Sequence, residues 1–294
     1  MDVEQIKTFL VVANTKSFTR AAESLHVVQS TITARIKMLE KQLGKELFTR
    51  DKRNVSLTPA GMSLLPYAER IYELSTEGMK VVQLEQNFHD QLTVGTTHVL
   101  WDYVLFDALN AFRQTRPAIS LRMITEHSEI LIRKMMDGLL DVAIVFYPVH
   151  HPNLELTPII EDTFELVAPS TFEIPTTALT PDDIKALPYI HLSWGGSFTH
   201  WIQKTFGNHA TFSLEVDHVS LLLKFLHSNK GVGFLPGTVA KKLIQNGELM
   251  RLPLVTEEAI PKRVIYLLQR KKNPNSENVI ELTRSICSAF KMDE

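Results

Sequence analysis

The chain has 294 residues, room for about two domains of ~100–200 residues each, and the composition of an ordinary globular protein. Its net charge of −2 is unevenly spread: residues 1–60 carry a net +4, so the remainder carries about −6. The single cysteine, Cys287, excludes an intrachain disulfide and a thiolate metal cluster, and no apolar run approaches the ~18 residues of a membrane helix. Acidic Asp2 and Glu4 stand where a secretory signal would be basic, so a cytoplasmic location without membrane attachment is expected.

The first ninety residues read as helical. Val3, Ile6, Phe9, Leu10 and Ala13 recur at helical spacing, and Asn14-Thr15-Lys16-Ser17 breaks the pattern with Ser17 placed to cap the next helix. That second helix would bury Phe18, Ala21, Ala22 and Leu25. A turn at His26-Val27-Val28 leads to a third helix over 29–43, with Ile32, Ile36, Leu39 and Leu43 as its inner stripe and Gly44 as its stop. Residues 46–57 read as two short strands around a charged tip, a β-wing. Thr58 and Pro59 then start a fourth helix running to about His89. Along it Leu64, Tyr67, Ile71, Leu74, Gly78, Val81, Glu85 and Phe88 alternate by three and four, a seam suited to a second copy of the chain. Pro66 is expected to kink it.

After Gln91 the pattern changes to alternating strands and helices. Strands at 92–97, 120–127 and 139–147 are separated by helices at 99–117 and 128–138, a βαβαβ order that requires right-handed crossovers and a parallel sheet. Residues 154–170 lead as strands into a second lobe. Helices are expected at 182–187, 197–206 and 217–228, a turn-strand-turn-helix unit at 230–244, a strand over 263–270 and a closing helix over 275–291. Two α/β lobes with the chain crossing between them leave a cleft suited to a small ligand.

The segment from Ser17 to Gly61 closely resembles the N-terminal signature of LysR-type transcriptional regulators. The matching residues are Ser17, Ala21-Ala22, Leu25, Gln29, Ile36, Leu39-Glu40, Leu43-Gly44, Leu47-Phe48, Arg50, Leu57-Thr58 and Gly61. Further on, MMDGLLDVAIV and GVGFLP resemble that family's strand entries more loosely. The resemblance implies a winged helix-turn-helix over 1–58, a linker and dimerisation helix over 59–89, and an effector-binding domain over 90–294. The fold class expected is α/β: an all-α head, a long helix and a two-lobed domain of periplasmic-binding-protein type. Many members open the third helix with Ser-Gln-Pro; here Val28-Gln29-Ser30 stands instead, followed by Thr33-Ala34, so the base-reading surface is this chain's own.

In such a motif the third helix lies in the major groove. The side opposite its inner stripe carries Ser30, Thr33, Ala34, Lys37 and Lys41. Gln29 suits adenine, Lys37 guanine, and Ala34 or the Thr33 methyl a thymine methyl. Arg35, to one side, is expected on phosphate. Arg50, Lys52 and Arg53 at the wing suit backbone or minor-groove contact, and Ser17 and Thr19 a phosphate near the second helix.

For the sensing domain, the resemblance implies an effector between the lobes. Thr96, Thr97 and His98 end the first strand, Ser128 opens a helix after the second, Tyr147 follows the third, and Ser193 and Ser197 flank a glycine turn of the second lobe, with Phe234 beyond. Hydroxyls at helix starts favour a carboxylate; no convergent arginine is evident to strengthen that preference. The partners expected are double-stranded operator or promoter DNA, the effector, a second copy through the linker helix and a tetramer beyond it, with RNA polymerase as a further candidate. No cofactor and no metal are expected. An enzyme is the first alternative, but the sequence holds no HExxH, GxSxG or Walker loop, and no catalytic residue is assigned. A transport-type solute-binding module and an architectural DNA binder without an effector are the others.

Overall fold

The computed structural model describes residues 1–294 except 52–53, 85–87, 89, 174–177, 208–211, 213, 230, 273–275 and 292–294. Two compact units divide the chain, Met1–Asn87 and Phe88–Glu294.

The N-terminal unit holds α1 (Val3–Thr15), α2 (Phe18–Ser24), α3 (Gln29–Leu43), β1 (Phe48–Asp51), β2 (Asn54–Leu57) and α4 (Pro59–Leu84). Asp2 and Gln5 form a reciprocal capping box on α1, and the Ser17 hydroxyl accepts from the Arg20 N–H at the start of α2. Lys16 and His26 take positive φ at the two turns, closing them within two to four residues. Ile6, Phe9, Val12, Ile32, Ile36 and Leu39 meet in the core, each at most 1% exposed. Burying each such side chain contributes about 1.5–3 kcal/mol. Phe48 brings the wing into the same core, its ring 5.4 Å from Phe9 and 5.9 Å from Phe18. Leu43 corrects the sequence reading. It lies on the inner side of α3 but is 41% exposed, because the core ends one turn earlier, at Leu39.

The wing is anchored by α3 and α4 together. Glu40 Oε1 accepts from the backbone N–H of Leu47 at 2.9 Å and of Phe48 at 3.4 Å. Thr58 donates to the Glu46 carbonyl and accepts from the Gly61 N–H, capping α4 while fixing the strand entry. Gly61 packs so closely that an added Cβ would stand 2.2 Å from the Leu47 carbonyl oxygen. Ala60, Leu64, Leu65, Ala68, Ile71 and Tyr72 of α4 pack on the unit's core, while Tyr67, Leu74 and Val82 are exposed. Pro66 lies inside a helix that continues through it to Leu84. The expected extension to His89, with Glu85, lies outside the described residues; Phe88 is described and stands beyond the end of α4.

The C-terminal unit is two lobes. Lobe I is a five-stranded sheet in the order β4-β3-β5-β12-β6, from β3 (Asp90–Thr96), β4 (Ile119–Thr125), β5 (Val142–Val145), β6 (Leu154–Asp162) and β12 (Arg263–Arg270). The first three strands are parallel, as the βαβαβ pattern requires; β12 returns antiparallel to β5 and β6. Its helices are α5 (His98–Leu100) and α6 (Phe106–Thr115), joined by a π-helical turn over Trp101–Leu105, with α7 (Ser128–Met136) and α12 (Ser276–Lys291). The π-helical turn is absent from the sequence reading, which takes the stretch as one regular helix.

Lobe II contains β7 (Phe164–Pro169), α8 (Pro181–Ala186), β8 (Ile190–Leu192), α9 (Gly196–Phe206), β9 (Leu214–Val216), α10 (Val219–Asn229), β10 (Gly233–Pro236), α11 (Gly237–Gln245) and β11 (Leu249–Arg251). Strands β10-β7-β11 form one sheet and β8-β9 a parallel pair, linked through a bridge between Tyr189 and Val232. The chain crosses from lobe to lobe twice, after β6 and before β12.

Two expectations follow from this packing. Gly61→Ala should destabilise the N-terminal unit by about 1–3 kcal/mol through overpacking, read from its transition in urea unfolding of the whole chain. In lobe II, His191 is 6% exposed, stacked on Phe212 at 4.3 Å, and burial lowers its pKa against the opposing pull of Glu215. The unfolded chain then binds the proton more readily than the folded one. Stability of this unit should therefore fall as pH drops below about 6.5, the ordinary histidine value, and level off below the folded value. Thermal melts should show this slope flattened in His191→Gln.

Candidate DNA interface and ligand cleft

Burial of Ile32, Ile36 and Leu39 fixes the rotation of α3 and presents the other side outward. Gln29, Ser30, Ala34, Lys37 and Lys41 are exposed, and Thr33 is half-buried at the flank. Ser30, Ala34, Lys37 and Lys41 fall in one strip along the axis at 100° per residue. The Thr19 hydroxyl donates to Gln29 Oε1 at 3.2 Å, which directs the Gln29 amide N–H groups outward. Thr33 donates to the Gln29 carbonyl at 3.1 Å and keeps its methyl free of that bond. Val28, 67% exposed, and Met38, 55% exposed, add apolar surface to the same region that charge-based reading passes over.

Arg35 is placed differently from the expectation of a phosphate contact. Its guanidinium lies 3.0 Å from Glu4 and 3.3 Å from the Thr8 hydroxyl, so it braces α3 against α1. Ser17 serves as a cap, and its hydroxyl proton remains available. Of the wing residues, Lys52 and Arg53 lie outside the described residues, as does the side chain of Arg50.

In the C-terminal unit a cavity of about 750 Å³ opens between the lobes. Lobe I lines it with Thr97, Val99, His127, Ser128, Phe146, Tyr147, Lys262 and the β12 residues Arg263 and Val264; lobe II does so with Phe164, Ser193, Trp194, Gly195, Ser197 and Phe198. A second cavity of about 310 Å³ shares Thr97, Val99, His127, Ser193 and Trp194 and adds His98, Asp102, Tyr103 and His218. His98 and His218 face each other there, ring centroids 5.3 Å apart. The helices α5, α7 and α9 start at these walls, and none has a side-chain cap. Their first backbone N–H groups therefore have no intrahelical acceptor, and the helix dipoles favour negative charge in front of them.

Of the effector candidates, Thr97, Ser128, Tyr147, Ser193 and Ser197 come together around the larger cavity and His98 around the smaller. Ser128 accepts from the Phe146 N–H at 3.1 Å, and Ser193 pairs with Thr199 at 3.2 Å. Two candidates are corrected. Thr96 is fully buried and donates to the Ile144 carbonyl, tying β3 to β5 beneath the cleft floor. Phe234 sits in the lobe II core among Tyr189, Phe198 and Trp201; only its carbonyl bears on the cleft, accepting from the Trp194 indole at 3.0 Å.

Arg263 is the arginine that the sequence does not reveal. It lies against Phe146, 4.2 Å from ring centroid to guanidinium carbon, with Phe164 and Trp194 at 5.1 and 5.6 Å. Burial pulls its pKa down, and Asp162 works against that pull. Among the described residues no group of three His, Cys, Asp or Glu side chains could hold a metal, and no helix is long and apolar enough to cross a membrane.

A three-helix head with a β-wing, followed by a two-lobed domain with a cleft, defines a ligand-responsive DNA-binding regulator. Residues 3–62 match the bacterial regulatory helix-turn-helix of the lysR family, and residues 85–288 match the LysR substrate binding domain. The chain belongs to the LysR family of transcription regulators and is a DNA-binding regulator with a substrate-binding domain. It is 32% identical over 239 residues to the HTH-type transcriptional regulator HdfR of Yersinia pestis (strain Pestoides F), covering 80% of this chain and 81% of that one. Its fold is that of full-length CbnR, a LysR family regulator solved alone and with its target DNA. TM-scores are 0.70 in both cases, at 22% and 21% identity, covering 99% and 98% of this chain and 99% and 100% of those. Full-length BenM is more distant, with a TM-score of 0.51 at 20% identity over 99% of this chain and 97% of that one.

Proposed function

We propose that α3 reads the operator with the strip Ser30, Ala34, Lys37 and Lys41, led by Gln29, while Thr33, Ser17 and Thr19 flank it and the wing residues Arg50, Lys52 and Arg53 meet the backbone. The observation that carries this is the complete burial of Ile32, Ile36 and Leu39, which leaves a compact polar strip with two lysines and one methyl facing outward. Gln29 suits adenine and Lys37 guanine. Arg35 joins the phosphate contacts only by giving up Glu4 and Thr8.

The working division is a head over 1–58, a pairing helix over 59–89 and a sensing domain over 90–294. Pairing of two chains through α4 is supported by exposed Tyr67, Leu74 and Val82, which share one side with Gly78. A tetramer and contact with RNA polymerase at a promoter complete the reading, which is of binding without turnover, in the cytoplasm. The effector is a small carboxylate held in the larger cavity near Thr97, Ser128 and Ser193, with His98, Tyr147 and Ser197 at its margins. Three uncapped helix starts and the Arg263 cation support a negative ligand. The effector acts by binding one arrangement of lobes or subunits better than another, since a ligand shifts an equilibrium only by its differential affinity.

Lys37→Ala should weaken binding to the operator by about 1–3 kcal/mol while leaving affinity for random duplex nearly unchanged. Competition binding at fixed salt measures both. An equal loss on both DNAs would remove Lys37 from base reading and make it a phosphate contact.

A further inference from the structure

Asp162 and Arg263 are cross-strand partners at the point where the chain leaves lobe I and where it returns. Asp162, 3% exposed, accepts from the backbone N–H and the hydroxyl of Thr238, both at 3.0 Å, in the first turn of α11. It thereby ties lobe I to a helix of lobe II. That helix is also met further along by lobe I, through Lys242 and Asp107 at 3.0 Å. Asp162 holds Arg263 only by one bond of 3.3 Å. The Nε of Arg263 is buried and has no partner. Among the described residues three buried side-chain polar atoms are in that condition, and two of them, Arg263 Nε and Thr97 Oγ1, belong to residues that line the larger cavity. A guanidinium carries five N–H donors in a fixed fork, and burying it without acceptors is costly. One long bond to a carboxylate already shared with a helix start is poor compensation.

We propose that Arg263 is the group that binds a ligand's anionic oxygens in this cleft, and that it does so by leaving Asp162, so that filling the cleft removes the side-chain bond between the two crossing strands, which stay paired through their backbones. This rests on the reading of the cleft as the effector site. Asp162 stays satisfied by Thr238 and the start of α11 when Arg263 turns away, because a helix N-terminus stabilises a carboxylate. The ligand carboxylate takes the fork, and its body lies on Trp194, Phe146 and Phe164. The class of ligand is a carboxylate on a flat apolar body. The exchange is the step by which occupancy is sensed at the hinge: Arg263 is held by Asp162 before binding and by the ligand after it.

The test is calorimetric titration of the full chain with benzoate and with its neutral isostere benzamide, on wild type, Arg263→Lys and Asp162→Asn. Wild type should bind benzoate at least about tenfold better than benzamide, and Arg263→Lys should lose about tenfold or more of benzoate affinity, since the lysine keeps the charge and loses the fork. Asp162→Asn should bind benzoate several-fold tighter, because the guanidinium starts free. Equal binding of benzamide, unchanged affinity in Arg263→Lys, or no binding of benzoate at millimolar concentration would each overturn Arg263 as the anion-binding group. Unchanged affinity in Asp162→Asn would overturn the exchange. Thermal melts and operator binding check that each variant is folded, and the wild-type comparison of the two probes needs no variant. If benzoate fails while a metabolite extract of the host still changes the operator footprint, this inference falls and the effector reading stands. If the footprint never responds, the effector reading falls as well.

Discussion

The burial of Ile32, Ile36 and Leu39 against α1 and α2 is the constraint on which the proposed DNA-reading surface depends. A helix rotates 100° per residue, so three residues held at the core leave no freedom in which side faces outward. The same helix also sets the wing, because Glu40 accepts from the Leu47 and Phe48 N–H groups as the chain enters β1. The proposed recognition strip and the wing entry are thereby fixed by one element, and Gly61 lets α4 close against that entry. Strip and wing are presented together because they are built on one rod.

The C-terminal unit solves a different problem. It holds two separately packed lobes within one compact unit. Each lobe has its own apolar core, and polar links between them include Asp162 with Thr238 and Asp107 with Lys242. The π-helical turn at Trp101–Leu105 belongs to this relation, since Val99 and Tyr103 beside and within it pack on lobe II residues. Such turns recur at functional sites, where they re-aim side chains without ending a helix. The buried Arg263, held by one long bond, sits where the chain returns from lobe II to lobe I.

Much of this was legible in the sequence, and the residues that were not share a cause. Periodicity and caps placed α1 to α3 and the start of α4 closely, because the first three have a stripe of apolar residues and a polar or glycine stop and Thr58 caps the fourth. The parallel core of lobe I was legible from Val142 to Val145, an apolar run bounded by turns. The strands β8, β9 and β11 have three residues each, too few to show a period of two. Thr96 and Thr97 look alike in sequence, yet one points to the Ile144 carbonyl and the other to the cleft, as alternation along a strand end dictates. Phe234 follows a glycine turn but faces inward from β10. Arg35 looks like a free cation until Glu4 is brought beside it. Arg263 was invisible because its place depends on β12 returning beside β6, 101 residues away in sequence. Local pattern carries no information about such a meeting.

The central claim is that the outward strip of α3 makes this chain a site-specific reader of DNA. Genome-wide mapping of the fragments bound by the full chain in its host tests it most directly. The account predicts a limited set of fragments that share a sequence, with enrichment lost when Ser30, Lys37 and Lys41 are replaced together by alanine. Binding spread across the genome in proportion to accessibility, with no shared sequence and no change in the triple variant, would contradict it.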